Sequence, residues 1–185
     1  MTEHVYMPLS IIEADRTDID WLISSYMGAA CSGHFDYDIV DRETLRMIRE
    51  NLRSIVLQKK MKDFGRMTQT MIFERDGVRV GACIIAQIIG QQTMVELHIM
   101  LVDFAQRGNG YGNMMLDEVI SRWHTECDIF VRCYPVSVQM INMLDRRHFI
   151  STKTFDDTSA LYLLPRQLPA SQAHNMASYY PGDYT

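Results

Sequence analysis

Two ionisable side chains, Glu96 and His98, stand inside the apolar run Val95-Glu-Leu-His-Ile-Met-Leu101. At strand spacing Glu96, His98 and Met100 share one face, and Val95, Leu97, Ile99 and Leu101 the other. Charged groups on a central strand are costly unless they are solvated or paired. One reading is therefore an ion pair or a wet sheet face. The other is proton abstraction. Acyl transfer to an amine needs a neutral nucleophile, yet an alkylammonium has a pKa of about 10.4. A carboxylate raised by burial, or a histidine near its ordinary value, can take that proton.

Downstream lies a Gly-rich turn, Arg107-Gly-Asn-Gly-Tyr-Gly112. Glycines let backbone approach phosphate oxygens, and a helix start offers unpaired N–H groups and a favourable dipole. A Walker loop would need Gly-Lys-Ser/Thr, which is absent. The dinucleotide fingerprint would need Gly at 113, where the chain has Asn. A plain tight turn that starts a helix is the competing reading.

The elements that must position these residues follow from periodicity. Residues 5–13 read as a first strand, with Pro8 marking an edge or a bulge. Thr17 or Asp18 caps a helix to about Ala29, and Asp41 caps a second to about Lys60. Two strand-like runs, 66–75 and 78–89, flank the hairpin dipeptide Asp76-Gly77. A strand from Thr93 to Val102 leads into the Gly turn, and a helix follows to about His124. A strand 129–134, a helix 136–147 and two short strands near 149–155 and 159–164 complete a mixed α/β pattern. The strand–helix–strand unit 93–134 is its one clear parallel crossover.

The pattern Gln/Arg-x-x-Gly-x-Gly at Arg107, Gly110 and Gly112, after the fourth strand of this order, resembles the GNAT superfamily of acyl-CoA N-acyltransferases. The resemblance implies a mixed, mostly antiparallel sheet of six to seven strands flanked by about four helices. It would fill residues 1–165, with 166–185 as a loose tail. It implies acetyl-CoA as co-substrate. Its pyrophosphate would lie on Arg107, Gly108, Asn109, Gly110, Tyr111, Gly112 and Asn113, and its pantetheine arm along the backbone of Leu101 and Val102. A base sixteen residues before the last motif Gly falls on Glu96, with His98 as second candidate. The amide that would meet the developing oxyanion falls on Met100. The family's thiolate-protonating Tyr falls on Leu144, and its helix-start Asn on Ser137. Tyr134 is a weak substitute for that acid. The implied function is transfer of an acetyl group to a primary amine, and homodimers are common in the family. A non-catalytic acyl-CoA sensor on the same fold is the alternative.

The composition agrees with a globular domain: 185 residues, 47% hydrophobic and 22% charged. The net charge of −5 argues against a nucleic-acid backbone binder. No apolar run is long enough to span a membrane, and the N-terminus lacks a secretory pattern. A cytoplasmic setting with four buried free thiols is the expectation, and no metal site is expected. Asp36, Asp38 and Asp41, interleaved with Phe35 and Tyr37, suit a cationic amine such as a lysine side chain or polyamine, or form a solvated loop. Arg46, Arg49 and Arg53 recur at helical spacing as a solvated or partner-binding stripe. Arg146 and Arg147 are candidates for the 3′-phosphate of CoA.

Overall fold

The computed structural model describes residues 8–31, 34, 42–62, 66–87, 90, 92–152 and 160–166. The acidic segment 36–41 and the tail 167–185 lie outside the described residues. Asp76 and Gly77 take φ of 52° and 74°. Both are left-handed, as a two-residue hairpin turn with right-twisting strands demands. They join β2 (Thr68–Arg75) to β3 (Val78–Gln87). These strands carry consecutive buried residues, so both faces of the sheet are covered here.

The seven-stranded sheet runs β1-β2-β3-β4-β5-β7-β6. β1 (Ser10–Glu13) forms one edge and begins later than its sequence suggests. β4 (Met94–Val102) and β5 (Asp128–Cys133) form its parallel pair; the other pairs are antiparallel. β6 (Ile150–Thr152) and β7 (Ala160–Leu164) close the far side. Among the described residues four α-helices flank the sheet: α1 (Ile19–Ala30), α2 (Arg42–Gln58), α3 (Tyr111–Trp123) and α4 (Val138–Asp145). The expected mixed, mostly antiparallel architecture is present.

Helices cover both faces and make two cores. α1 and α2 bury Leu22, Ile23, Ile48, Leu52 and Ile55 against one face. α3 and α4 bury Met115, Leu116, Val119 and Leu144 against the other. Asp18 stands at the N-cap of α1, as expected, but makes no side-chain cap bond; the capping box lies one turn earlier, on the 3-10 turn Arg16–Asp18, and its cap is Asp15. Its carboxylate accepts from Thr17 N at 2.7 Å, and Asp18 reciprocates by accepting from Asp15 N at 2.9 Å. The Asp18 carboxylate also turns inward to Arg79 of β3, at 2.6 Å.

α4 ends in a left-handed cap. His148 has φ of 62°, and Phe149 N donates to Leu144 O at 3.2 Å. The two apolar side chains bracketing this cap, Leu144 and Phe149, share the α3/α4 core. Among the thiols, Cys83, Cys127 and Cys133 are buried and free as expected, whereas Cys31 is exposed.

Candidate active site

β4 is not the single-faced strand its alternation suggests. Opposite it, Ile84 pairs with Ile99 and the next residue, Ile85, with Leu97. His98 is thus the extra residue of a β-bulge, which bends a strand and re-aims the side chains that follow. Val95 and Leu97 join the α3/α4 core, while Ile99 and Leu101 join the α1/α2 core. The apolar residues switch faces across the bulge. Glu96, opposite Ala86 of the α1/α2 core, does not share a face with Met100, which packs against the α3/α4 core.

At the same point β4 loses a neighbour. Its pairing with β5 runs Met94–Asp128 to Leu97–Val131 and stops. Beyond it the strands diverge, and among the described residues the backbone groups of 98–102 facing away from β3 have no partner strand. The divergence opens a cavity of about 890 Å³, within the range of small-molecule and cofactor sites. His98, Met100, Leu101 and Val102 line one wall, and Cys133 and Ser137 the opposite side. Arg107, Gly108, Gly110, Tyr111, Gly112 and Asn113 line its far end. Glu96, Asn109 and Tyr134 are not on the wall.

The Gly turn is held from outside the cavity. Asp103 accepts from Ala105 N at 2.9 Å and from Trp21 Nε1 at 3.1 Å, anchoring the chain as it leaves β4. Asn109 Nδ2 donates to Gln106 O at 3.1 Å, an internal brace for the turn. Gly108 and Gly110 take φ of 82° and 80°, the left-handed region where glycine is at home. Gly110 caps α3 with no side chain of its own. The amides of Tyr111 and Gly112, the first of α3, precede the intrahelical ladder, which begins with Asn113 N donating to Gly110 O at 3.1 Å. The Arg107 guanidinium lies 5.3 Å from the Phe104 ring, with Nε 3.4 Å from Val102 O.

Arg146 reaches the cavity wall. Arg147 is not on that wall. It donates to Asp117 at 2.6 Å, to Asn113 Oδ1 and O at 3.2 Å, and to Met143 O at 3.0 Å, fastening α3 to α4. Leu144, at the family's acid position, is fully buried. Arg46 of the α2 stripe is tied to Glu43 and, at 2.7 Å, to Glu50 on its own helix.

Sequence spacing missed Arg66. Its guanidinium meets Glu96 at 2.5 Å and donates to Gln87 O at 3.1 Å, and both members of the ion pair are largely buried. Glu96 Oε1 also lies 3.4 Å from His98 Nδ1. Burial by itself would raise the Glu96 pKa. The hydrogen bond from His98, the His98 charge when that ring is protonated, and the charge and hydrogen bond of Arg66 outweigh it and hold the carboxyl at about 2. Glu96 therefore stays ionised, its oxygens committed to Arg66 and His98.

No protein-family model matches the chain, and no curated protein matches it significantly. Solved structures match its shape. An acetyltransferase of Thermus thermophilus superposes with a TM-score of 0.64 at 13% identity, over 86% of this chain and 97% of that one. yncA of Salmonella typhimurium, described as a putative acetyltransferase and solved with its cofactor acetyl-CoA, gives 0.63 at 17% identity over 89% and 97%. A GNAT-family protein of Desulfovibrio desulfuricans gives 0.61 at 10% identity over 84% and 96%. The chain has the fold of the GNAT acetyltransferases.

Proposed function

We propose that the protein is an N-acetyltransferase that moves an acetyl group from acetyl-CoA directly to a primary amine. The observation that carries this reading is the junction of two features in one cavity: the divergence of β4 from β5 and the Gly-rich helix start at its far end. The fit to the cofactor rests on that turn. A Cβ added at Gly108 or Gly110 would meet nothing within 4 Å, so the backbone there borders open space that a pyrophosphate can approach. Arg107 and Arg146 add positive charge, and the unpaired edge of 98–102 suits the amides of a pantetheine arm. When bound, acetyl-CoA supplies an activated thioester carbonyl.

The chain's own residues do the rest. The base candidates Glu96 and His98 act together in this reading. Glu96, kept ionised by Arg66, orients His98 through Nδ1 and leaves the other ring nitrogen to accept the amine's proton. His98 lies on the cavity wall and Glu96 behind it, which favours His98 as the atom-level acceptor. Glu96 as direct base is the competing assignment. The Met100 amide is the proposed donor to the carbonyl oxygen as it gains charge. The acceptor is proposed to be cationic, drawn by Asp36, Asp38 and Asp41.

Titration calorimetry with acetyl-CoA tests the cofactor, and thiol release across amines, lysine peptides and peptide N-termini tests the reaction. Gly110→Asp, which adds a negative charge as well as strain at a φ of 80°, is expected to weaken binding at least about thirtyfold, and more than the equally strained but neutral Gly110→Asn. Unchanged affinity would overturn the proposal. Binding without turnover on any amine would favour the sensor reading, for which the buried Leu144 in the acid's place is the specific support.

A further inference from the structure

The cavity wall carries two hydroxyl-bearing side chains among the described residues, Tyr111 and Ser137. Tyr111 opens α3 beside the phosphate end. Ser137 sits four residues beyond the end of β5, on the diverging side. It occupies the N-cap of α4, where serine normally accepts from its own helix. Here it makes no cap hydrogen bond. Its Oγ instead lies 3.0 Å from Nδ1 of His34, a contact spanning 103 residues of sequence. His34 also lines the cavity and is fixed at the end of α1, its amide donating to Ala29 O at 3.4 Å. A local preference is thus forgone for a contact across the cavity.

A departing thiolate needs a hydrogen-bond donor. Leu144 supplies none, and Tyr134 is not on the wall. Burial pushes the Cys133 thiol up to about 12, leaving a weak S–H donor. Burial, then the Arg107 charge, lowers the His34 pKa and favours the neutral ring. In the tautomer that carries its single proton on Nδ1, that ring would donate to Ser137 Oγ and leave the Ser137 O–H free to turn into the cavity. Resting on the acetyl-CoA reading above, we propose that Ser137 is the donor to the thioester sulfur and that His34 is its positioning residue.

The step balances without a proton leaving serine, since an alkoxide is a far stronger base than a thiolate. The N–C bond forms and the C–S bond breaks. The bonding pair stays on sulfur as a hydrogen-bonded thiolate, the amine proton passes to His98, and sulfur is reprotonated from solvent.

The test is to titrate CoA bound to the protein and follow the ultraviolet thiolate band. In the wild-type protein the bound thiol should ionise about one pH unit below free CoA, a tenfold preference for thiolate. Ser137→Ala should move it back toward the free value, His34→Ala part of the way, and Ser137→Thr should restore it. Desulfo-CoA should bind wild type and Ser137→Ala alike. An unchanged thiol titration in Ser137→Ala, with CoA still bound, would overturn this inference alone. Failure of wild-type protein to bind CoA would overturn the acetyl-CoA reading, and this inference with it.

Discussion

The two halves of β4 differ in what holds them. Residues 94–97 pair with β3 on one side and β5 on the other. Residues 99–102 pair with β3 alone among the described strands. The first half is ordinary sheet interior, its polar Glu96 neutralised by Arg66. The second half has a free edge, borders the cavity and leads into the Gly turn. One inserted residue, His98, separates them. A sheet meets most backbone groups with a neighbouring strand. Ending that pairing at one point creates a row of donors and acceptors without any special side chain.

Variants can break this contrast at the hinge, on either side of it, or at its far end. The largest effect is expected at the hinge. His98→Ala should lower kcat about 10²–10³-fold, with CoA affinity changed less than about threefold in calorimetry. Next comes the doubly paired half. Glu96→Gln leaves Arg66 without its anion and should cost on the order of 3 kcal/mol at neutral pH. The sign follows from Glu96 being held at about 2 against an ordinary 4.5. Its contribution is whole above pH 4.5 and fades as pH falls toward 2. Urea denaturation across that window should therefore show a shallower loss of stability in Glu96→Gln.

A smaller effect is expected where β3 supports the singly paired half. A Cβ at Gly81 would stand 2.5 Å from Leu101 O and 2.6 Å from Met115 Sδ. Gly81→Ala should cost about 1–3 kcal/mol and lower the Tm accordingly. The least effect belongs to Gly112. Its added Cβ would meet Met143 at 3.5 Å and Val102 at 3.7 Å, ordinary contacts. Gly112→Ala should shift stability by less than about 0.5 kcal/mol. A large loss there would mean the far end is packed more tightly than its distances indicate.

The difference between the halves also marks what the sequence makes legible. The Asp76-Gly77 hairpin, the helix spans and the Gly turn rest on local rules, and each stands where periodicity puts it. The bulge does not announce itself. No Gly or Pro interrupts Val95–Leu101, and the apolar alternation runs through unbroken, because after the switch each apolar residue finds a second core on the other face. Arg66 is thirty residues from Glu96, so no spacing rule pairs them. His34 and Ser137 are farther apart still, and serine at a helix start reads as a cap. Arg147 looks like a phosphate ligand by type, but Asn113 and Asp117 of α3 claim its donors.

That last contact has a mechanical result. By bolting the helix behind the phosphate turn to the helix behind Ser137, Arg147 makes the two ends of the cavity a single gauge of fixed span. On the acetyl-CoA reading proposed above, an acyl donor would be judged by its reach, phosphates at one stop and sulfur at the other. On that reading, thioesters on shorter or longer tethers would fall out of register even where their head groups fit.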